Sequence, residues 1–313
     1  MPDAPSHRLC PESAKPGFFG SAPPSIAADH FYFCAKCGSM DVIVQRGGIV
    51  AGGIVKKGAY KNSVGVFDSG LGGISILRGL VRELPHEDFV YFGDSAHNPY
   101  GEKTPEQVLD LSRAIVGDMV HAGCKAVVIA CNTATSAAAD TLRAEYPDLP
   151  IIGVEPALKP AVLAGRRGCV LVMATPMTVR LEKFQHLLRE WGKGACVESV
   201  ACWGLAARIE KGDLQSPDVE ELVRDLVGKY AGQTGAVVLG CTHYPFVAPQ
   251  IKAVLGDVPF FDSTEGTARQ LRRRLSECGL LRGRADRGTV TFLSSKDTAE
   301  EIELYRRFFA LTD

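Results

Sequence analysis

One apolar run occurs twice in this chain. Ala126-Val-Val-Ile-Ala-Cys131-Asn-Thr is echoed by Ala236-Val-Val-Leu-Gly-Cys241-Thr-His, and the segments around each copy repeat in the same order. Val64-Gly-Val-Phe-Asp68-Ser69-Gly pairs with Val170-Leu-Val-Met-Ala-Thr175-Pro, and Ile152-Gly-Val-Glu-Pro pairs with Phe260-Phe-Asp-Ser-Thr. Three matched segments imply two similar halves built from one ancestral unit. Halves of that kind face each other across a pseudo-two-fold axis and present Cys131 and Cys241 to a shared cleft from opposite sides.

Short β-branched or apolar runs lie at 64–67, 89–92, 126–130, 151–154, 169–173, 197–201, 236–239 and 259–261. Helical-period stretches separate them at 74–84, 105–122, 133–146, 178–191 and 219–230. Buried strands alternating with helices predict an α/β fold with mainly parallel sheets covered on both faces. In such sheets ligands bind beyond the carboxyl ends of the strands, so the residues that follow each run are the candidates for function.

Charge excludes some partners. The 35 Lys and Arg nearly balance the 36 Asp and Glu, and no long basic run occurs, which argues against nucleic acid or an anionic membrane surface. No apolar stretch reaches membrane-spanning length; the best candidate, 42–55, is broken by Gln45, Arg46 and two Gly pairs. It also lacks the order of a signal sequence, so a cytoplasmic protein is expected. Ten cysteines in 313 residues do not resemble a secreted disulfide framework. Several, including Cys131, Cys169, Cys196 and Cys241, fall in strand-like runs, where small core residues in a reducing compartment are the expectation. Residues 1–61 differ from the rest. Cys34 and Cys37 there make half a zinc knuckle that Cys10 or His7 could complete, but no second pair follows, and a poorly ordered leader is expected.

Each repeated cysteine ends a strand and precedes polar residues able to open a helix. Unpaired backbone N–H groups and the positive end of a helix dipole lower a thiol pKa from about 8.5 at such a place. Two thiols in duplicated positions suit a particular chemistry, in which one removes a proton from one face of a tetrahedral carbon while the other delivers a proton to the opposite face. That is racemisation or epimerisation by two bases. Two buried core thiols, a metal site completed by His243, and a redox disulfide are the competing uses. Asp68-Ser-Gly-Leu-Gly-Gly73 forms a strand-to-helix turn whose glycines admit a ligand close to the backbone, with Asp68 as a fixed negative charge. The polar stretch from Tyr91 to Gly101 predicts a lid or specificity loop.

Taken together, Asp68-Ser-Gly-x-Gly-Gly, Asp94 with Pro99-Tyr-Gly, Ala130-Cys-Asn-Thr-Ala, Pro156-Ala with Lys159-Pro, and Leu239-Gly-Cys-Thr-His-Tyr-Pro resemble the glutamate racemases of the aspartate/glutamate racemase superfamily. The resemblance runs from about Ser63 to the C-terminus. It implies two pseudo-symmetric three-layer α/β domains with the active site in the cleft between them, one formed by 62–158 with 268–313 and the other by 159–267. It also implies interconversion of L- and D-glutamate without metal or cofactor, supply of D-glutamate for peptidoglycan, and a homodimer. Cys131 and Cys241 would be the catalytic bases, supported by Asp68, His243 and, as a looser match, Glu210. Asp68, Ser69, Tyr100, Gly101, Asn132, Thr133, Thr175, Thr178, Thr242 and His243 would bind the amino acid. Met177, Leu181, Phe184 and Cys202-Trp203 depart from the family pattern and bear on the side-chain pocket. An aspartate or hydantoin racemase, or a regulatory binding protein with vestigial activity, are the alternatives.

Overall fold

The computed structural model describes residues 41–43, 56–164 and 167–311. Its strands are β1 (Asp41–Ile43), β2 (Val64–Asp68), β3 (Phe89–Gly93), β4 (Ala126–Ile129), β5 (Ile151–Gly153), β6 (Cys169–Ala174), β7 (Val197–Ala201), β8 (Thr234–Leu239), β9 (Phe260–Phe261) and β10 (Thr289–Ser294). They form two sheets, with orders β1-β10-β3-β2-β4-β5 and β7-β6-β8-β9, and all neighbouring pairs run parallel. The order β3-β2-β4-β5 reappears as β7-β6-β8-β9. The repeat in sequence is therefore a repeat in topology, and β4 and β8, which end at the two cysteines, hold equivalent places.

Burial follows from this pairing. Parallel strands need helical crossovers, which cover both faces and leave little room for polar side chains. All four residues of β4 and all five of β2 are buried. Val128 and Val66 from the larger sheet share one contiguous apolar cluster with Leu171, Val237 and Leu239 from the smaller. Local signals place the helix starts. Thr104 accepts from the Gln107 N–H and Gln107 reaches back to the Thr104 N–H, with Pro105 in the first turn, so the helix Pro105–His121 begins on a capping box.

Several features differ from the expectation. The stretch 178–191 is not one helix: Pro176–Arg180 and Glu182–Trp191 are separated by Leu181 in extended conformation. The C-terminal return includes a strand, β10, inserted beside β3 and followed by the helix Ala299–Phe309, whose Tyr305, Phe308 and Phe309 are buried. Asp88 anchors that return through Arg282, Arg284 and Thr289. Burial works against its charge, but the hydrogen bonds from Arg282 and Thr289 hold it below the usual carboxylate range. The helix Thr264–Glu277 runs across the anticipated 267/268 division and packs on the helix Ile74–Glu83. Of the expected leader, 1–40 and with them Cys34 and Cys37 lie outside the described residues, while Asp41–Ile43 pairs in parallel with β10 at the sheet edge.

A further difference is covalent. Cys169 and Cys196 lie in runs where small core thiols are the expectation, but they form a disulfide. Val170 pairs with Val197 in the β6–β7 ladder, so the residues just before them lie side by side at the entry to both strands. A crosslink spanning 27 residues stabilises chiefly by limiting the unfolded chain. Cys169→Ser is expected to lower unfolding stability by roughly 2–4 kcal/mol in non-reducing buffer. A thiol reductant should bring the parent protein down to the variant in denaturant titration, and parent and variant that match without reductant would contradict the bond.

Candidate active site

The carboxyl ends of β2, β4, β6, β7 and β8 converge on one cavity of about 30 Å³, with Cys131 and Cys241 both in its wall. That is space for one or two water molecules. Ser69, Tyr100, Gly101, Asn132, Thr133, Thr175, Thr242 and His243 also line it. Asp68, Glu210 and Thr178 stand behind the wall and act through neighbours.

The two thiols have different surroundings. Cys131 is the N-cap of the helix Asn132–Glu145, and its Sγ accepts from the Ala134 N–H at 3.4 Å. The sequence predicts a lowered pKa at such a place, but the structure reverses it. Burial, followed by the charge of Asp68, pushes the Cys131 thiol up to about 12, and the Ala134 N–H offsets only part of that. Desolvation of a thiolate outweighs a single helix terminus. Cys241 opens no α-helix directly; a 3₁₀ turn at Tyr244–Val247 follows it. Its partner is a side chain: Sγ lies 3.5 Å from His243 Nδ1.

His243 in turn sits 2.6 Å through Nε2 from Glu210 Oε1, which also accepts the Leu71 N–H at 2.8 Å. Burial opposes a charged ring, but the hydrogen bonds with Cys241 and Glu210 prevail, and the imidazole pKa is raised well above its ordinary value. A Glu210–His243–Cys241 chain thus places an imidazolium beside one sulfur. Asp68 is fully buried; it accepts from Thr242 Oγ1 and the Gly70 N–H, both at 3.1 Å. Burial raises its carboxyl above the usual range, the charge of His243 pulls it back, and Glu210 raises it again. Side chains at Gly70 or Gly72 would collide with Glu210 or His243, which is why the turn needs glycine there.

The remaining residues shape the walls. The Tyr100 hydroxyl donates to Asp94 Oδ2 at 2.6 Å, and Asp94 Oδ1 lies 2.7 Å from His97 Nδ1. The Tyr100 hydroxyl proton is thus already committed to Asp94. Thr133 Oγ1 meets Thr175 Oγ1 at 3.0 Å and Thr178 Oγ1 at 3.2 Å, joining the two halves across the cleft. Met177, Leu181 and Phe184 pack into the apolar cores and do not line the cavity. The sequence alone does not single out several of the wall residues as site residues, Asn98 and Cys202 among them. Asn98 belongs to the loop marked by its polarity. Cys202, the atypical residue after β7, is held as a thiol by burial, which pushes it up to about 12. Among the described residues no group of three or more His, Cys, Asp or Glu side chains could hold a metal ion, and no helix is long and apolar enough to cross a membrane.

Comparison with known proteins agrees with the geometry. The family model described as Asp/Glu/Hydantoin racemase matches residues 64–271. A glutamate racemase of Clostridium perfringens is 43% identical over 250 residues, 79% of this chain and 96% of that protein. Among solved structures, the glutamate racemase from Thermus thermophilus in complex with β-chloro-D-alanine is 35% identical, with a TM-score of 0.66 over 81% of this chain and 94% of that one. The glutamate racemase from Francisella tularensis in complex with D-glutamate superposes with a TM-score of 0.69 at 27% identity, over 81% of this chain and 95% of that one. The duplicated α/β architecture and its central thiol cavity define a racemase of the two-cysteine type, and the chain belongs to the Asp/Glu/hydantoin racemase family.

The raised Cys131 thiol has a measurable consequence. In the ligand-free protein its alkylation by iodoacetamide, followed by peptide mass mapping, should rise about tenfold per pH unit between pH 7 and 10 without levelling. A plateau below about pH 9 would show a thiol far more acidic than its buried setting allows.

Proposed function

We propose that this chain is a glutamate racemase that interconverts L- and D-glutamate by proton transfer between two cysteines at Cα, without metal or cofactor, supplying D-glutamate for peptidoglycan. The observation that carries this is the pairing of Cys131 and Cys241 at equivalent ends of duplicated strands on one cavity. Named relatives at above 40% identity over most of the chain support glutamate as the substrate.

In the proposed cycle Cys241 serves L-glutamate. Its thiolate, held beside the His243 imidazolium, takes the Cα proton while the Cys131 thiol delivers its proton to the opposite face. The products are D-glutamate, a Cys241 thiol and a Cys131 thiolate, and the D-isomer reacts by the reverse path. One thiol must stay protonated while the other is ionised, since two thiolates flanking one carbon would repel and leave no acid. The unequal settings of the two cysteines suit that division. A Cα proton is far less acidic than a thiol, and a well-placed base supplies only about 10² to 10⁴ of the rate. Fixed donors in a water-poor cavity must supply more; Asn132, Thr133, Thr242 and His243 would stabilise charge growing on the α-carboxylate. Asp68, Ser69, Tyr100, Gly101, Thr175 and Thr178 complete the proposed binding set.

A cavity of about 30 Å³ is smaller than glutamate, so substrate enters when the two halves of the duplicated fold part. Water is excluded again as they close. A homodimer is the proposed assembly.

Glutamate incubated in D₂O with the protein alone should gain deuterium at Cα during inversion, faster than aspartate or a hydantoin. Cys131→Ser and Cys241→Ser should each cost on the order of 10³ or more in racemisation. Racemisation that persists in either variant would overturn the two-thiol assignment.

A further inference from the structure

The loop from Asp94 to Gly101 contains a side chain that none of these roles uses. Asn98 lines the cavity together with Ser69, Cys131 and Cys241. Its Oδ1 is buried and has no hydrogen-bond partner among the described residues. Native structures rarely leave a buried carbonyl oxygen unpaired, because doing so forfeits its hydration with nothing in exchange, and an orphan in a binding cavity calls for a ligand donor.

The nitrogen end lies on the Glu210 side: a Cβ placed on Gly70 would overlap both Asn98 Nδ2 and Glu210 Oε1, a setting that suits a donor better than a carbonyl oxygen. The carbonyl is the end with no partner among the described residues.

We propose that Asn98 is a substrate-contacting residue whose Oδ1 accepts a hydrogen bond from the ammonium group of the amino acid. This rests on the assignment of the cavity as a glutamate site. Near neutral pH both carboxylates of glutamate only accept hydrogen bonds, and its ammonium is the strong donor. An orphan acceptor matches that group and neither carboxylate. Asn132 Oδ1 in the same wall is a second buried oxygen without a partner among the described residues, and the Asp68 carboxylate lies behind. A neutral oxygen at Asn98 accepts from the ammonium without adding another negative charge near Asp68 and Glu210. It also selects for substrates that carry an amine at the reacting carbon.

Glutarate, the dicarboxylate of the same length without the amine, separates a contact to the ammonium from a structural effect. Steady-state kinetics with both glutamate isomers and competitive inhibition by glutarate are measured for the parent, Asn98→Ala and Asn98→Leu, with melting temperatures alongside. For Asn98→Ala the KM of both isomers should rise about tenfold or more, well beyond any fall in kcat, while the glutarate inhibition constant stays within about twofold. Asn98→Leu keeps the volume and removes the acceptor, and should show the same selective loss of glutamate. The proposal is overturned if Asn98→Ala weakens glutarate as much as glutamate, or if Asn98→Leu keeps the parental KM for glutamate. A parent protein that fails to racemise glutamate would instead overturn the assignment of the cavity, a separate outcome.

Discussion

Glu210 ties the two halves of the molecule together at the point where the chemistry must occur. From the second half its carboxylate accepts the Leu71 N–H of the first and steadies His243, while Thr242 donates to Asp68 and the Ser75 hydroxyl donates to the Thr242 carbonyl. On the opposite lip Thr133 meets Thr175 and Thr178. These bonds bring two carboxylates and an imidazole out of water, which is costly unless each charge is paired and hydrogen-bonded. Mutual compensation fixes how closely the halves approach, and the separation of the two sulfurs follows from it.

The duplicated fold does not give a symmetric site. β4 and β8 hold equivalent places, yet the thiol after β4 caps an α-helix while the thiol after β8 leans on a histidine. At Cys131 burial is opposed by the Ala134 N–H and the Ser69 side chain, which do not overcome it. Beside Cys241 stands a histidine held by Glu210, its imidazole pKa raised well above the ordinary value. The proposed division into one acid and one base draws on that difference.

Much of the architecture is legible in the chain because its signals are local or repeated. The β-branched runs, the matched strand ends and the Gly-rich turn each follow from rules that act over a few residues, and all eight expected strands are present. Features set by distant partners are less visible. β10 depends on docking beside β3, and the Cys169–Cys196 bond depends on the register of β6 and β7. The helix start alone misjudges the acidity of Cys131, since the depth of burial is a property of the closed molecule. Asn98 lies in a loop whose polarity already marks it, but only the three-dimensional wall shows that its oxygen lacks a partner among the described residues.

The central claim is geometric: one stereocentre held between two sulfurs. A crystal structure of the protein with D-glutamate tests it most directly. Cys131 Sγ and Cys241 Sγ should lie on opposite faces of the ligand Cα, each at roughly 3–3.5 Å or slightly beyond. Both sulfurs on one face, or a ligand seated away from either, would contradict the account.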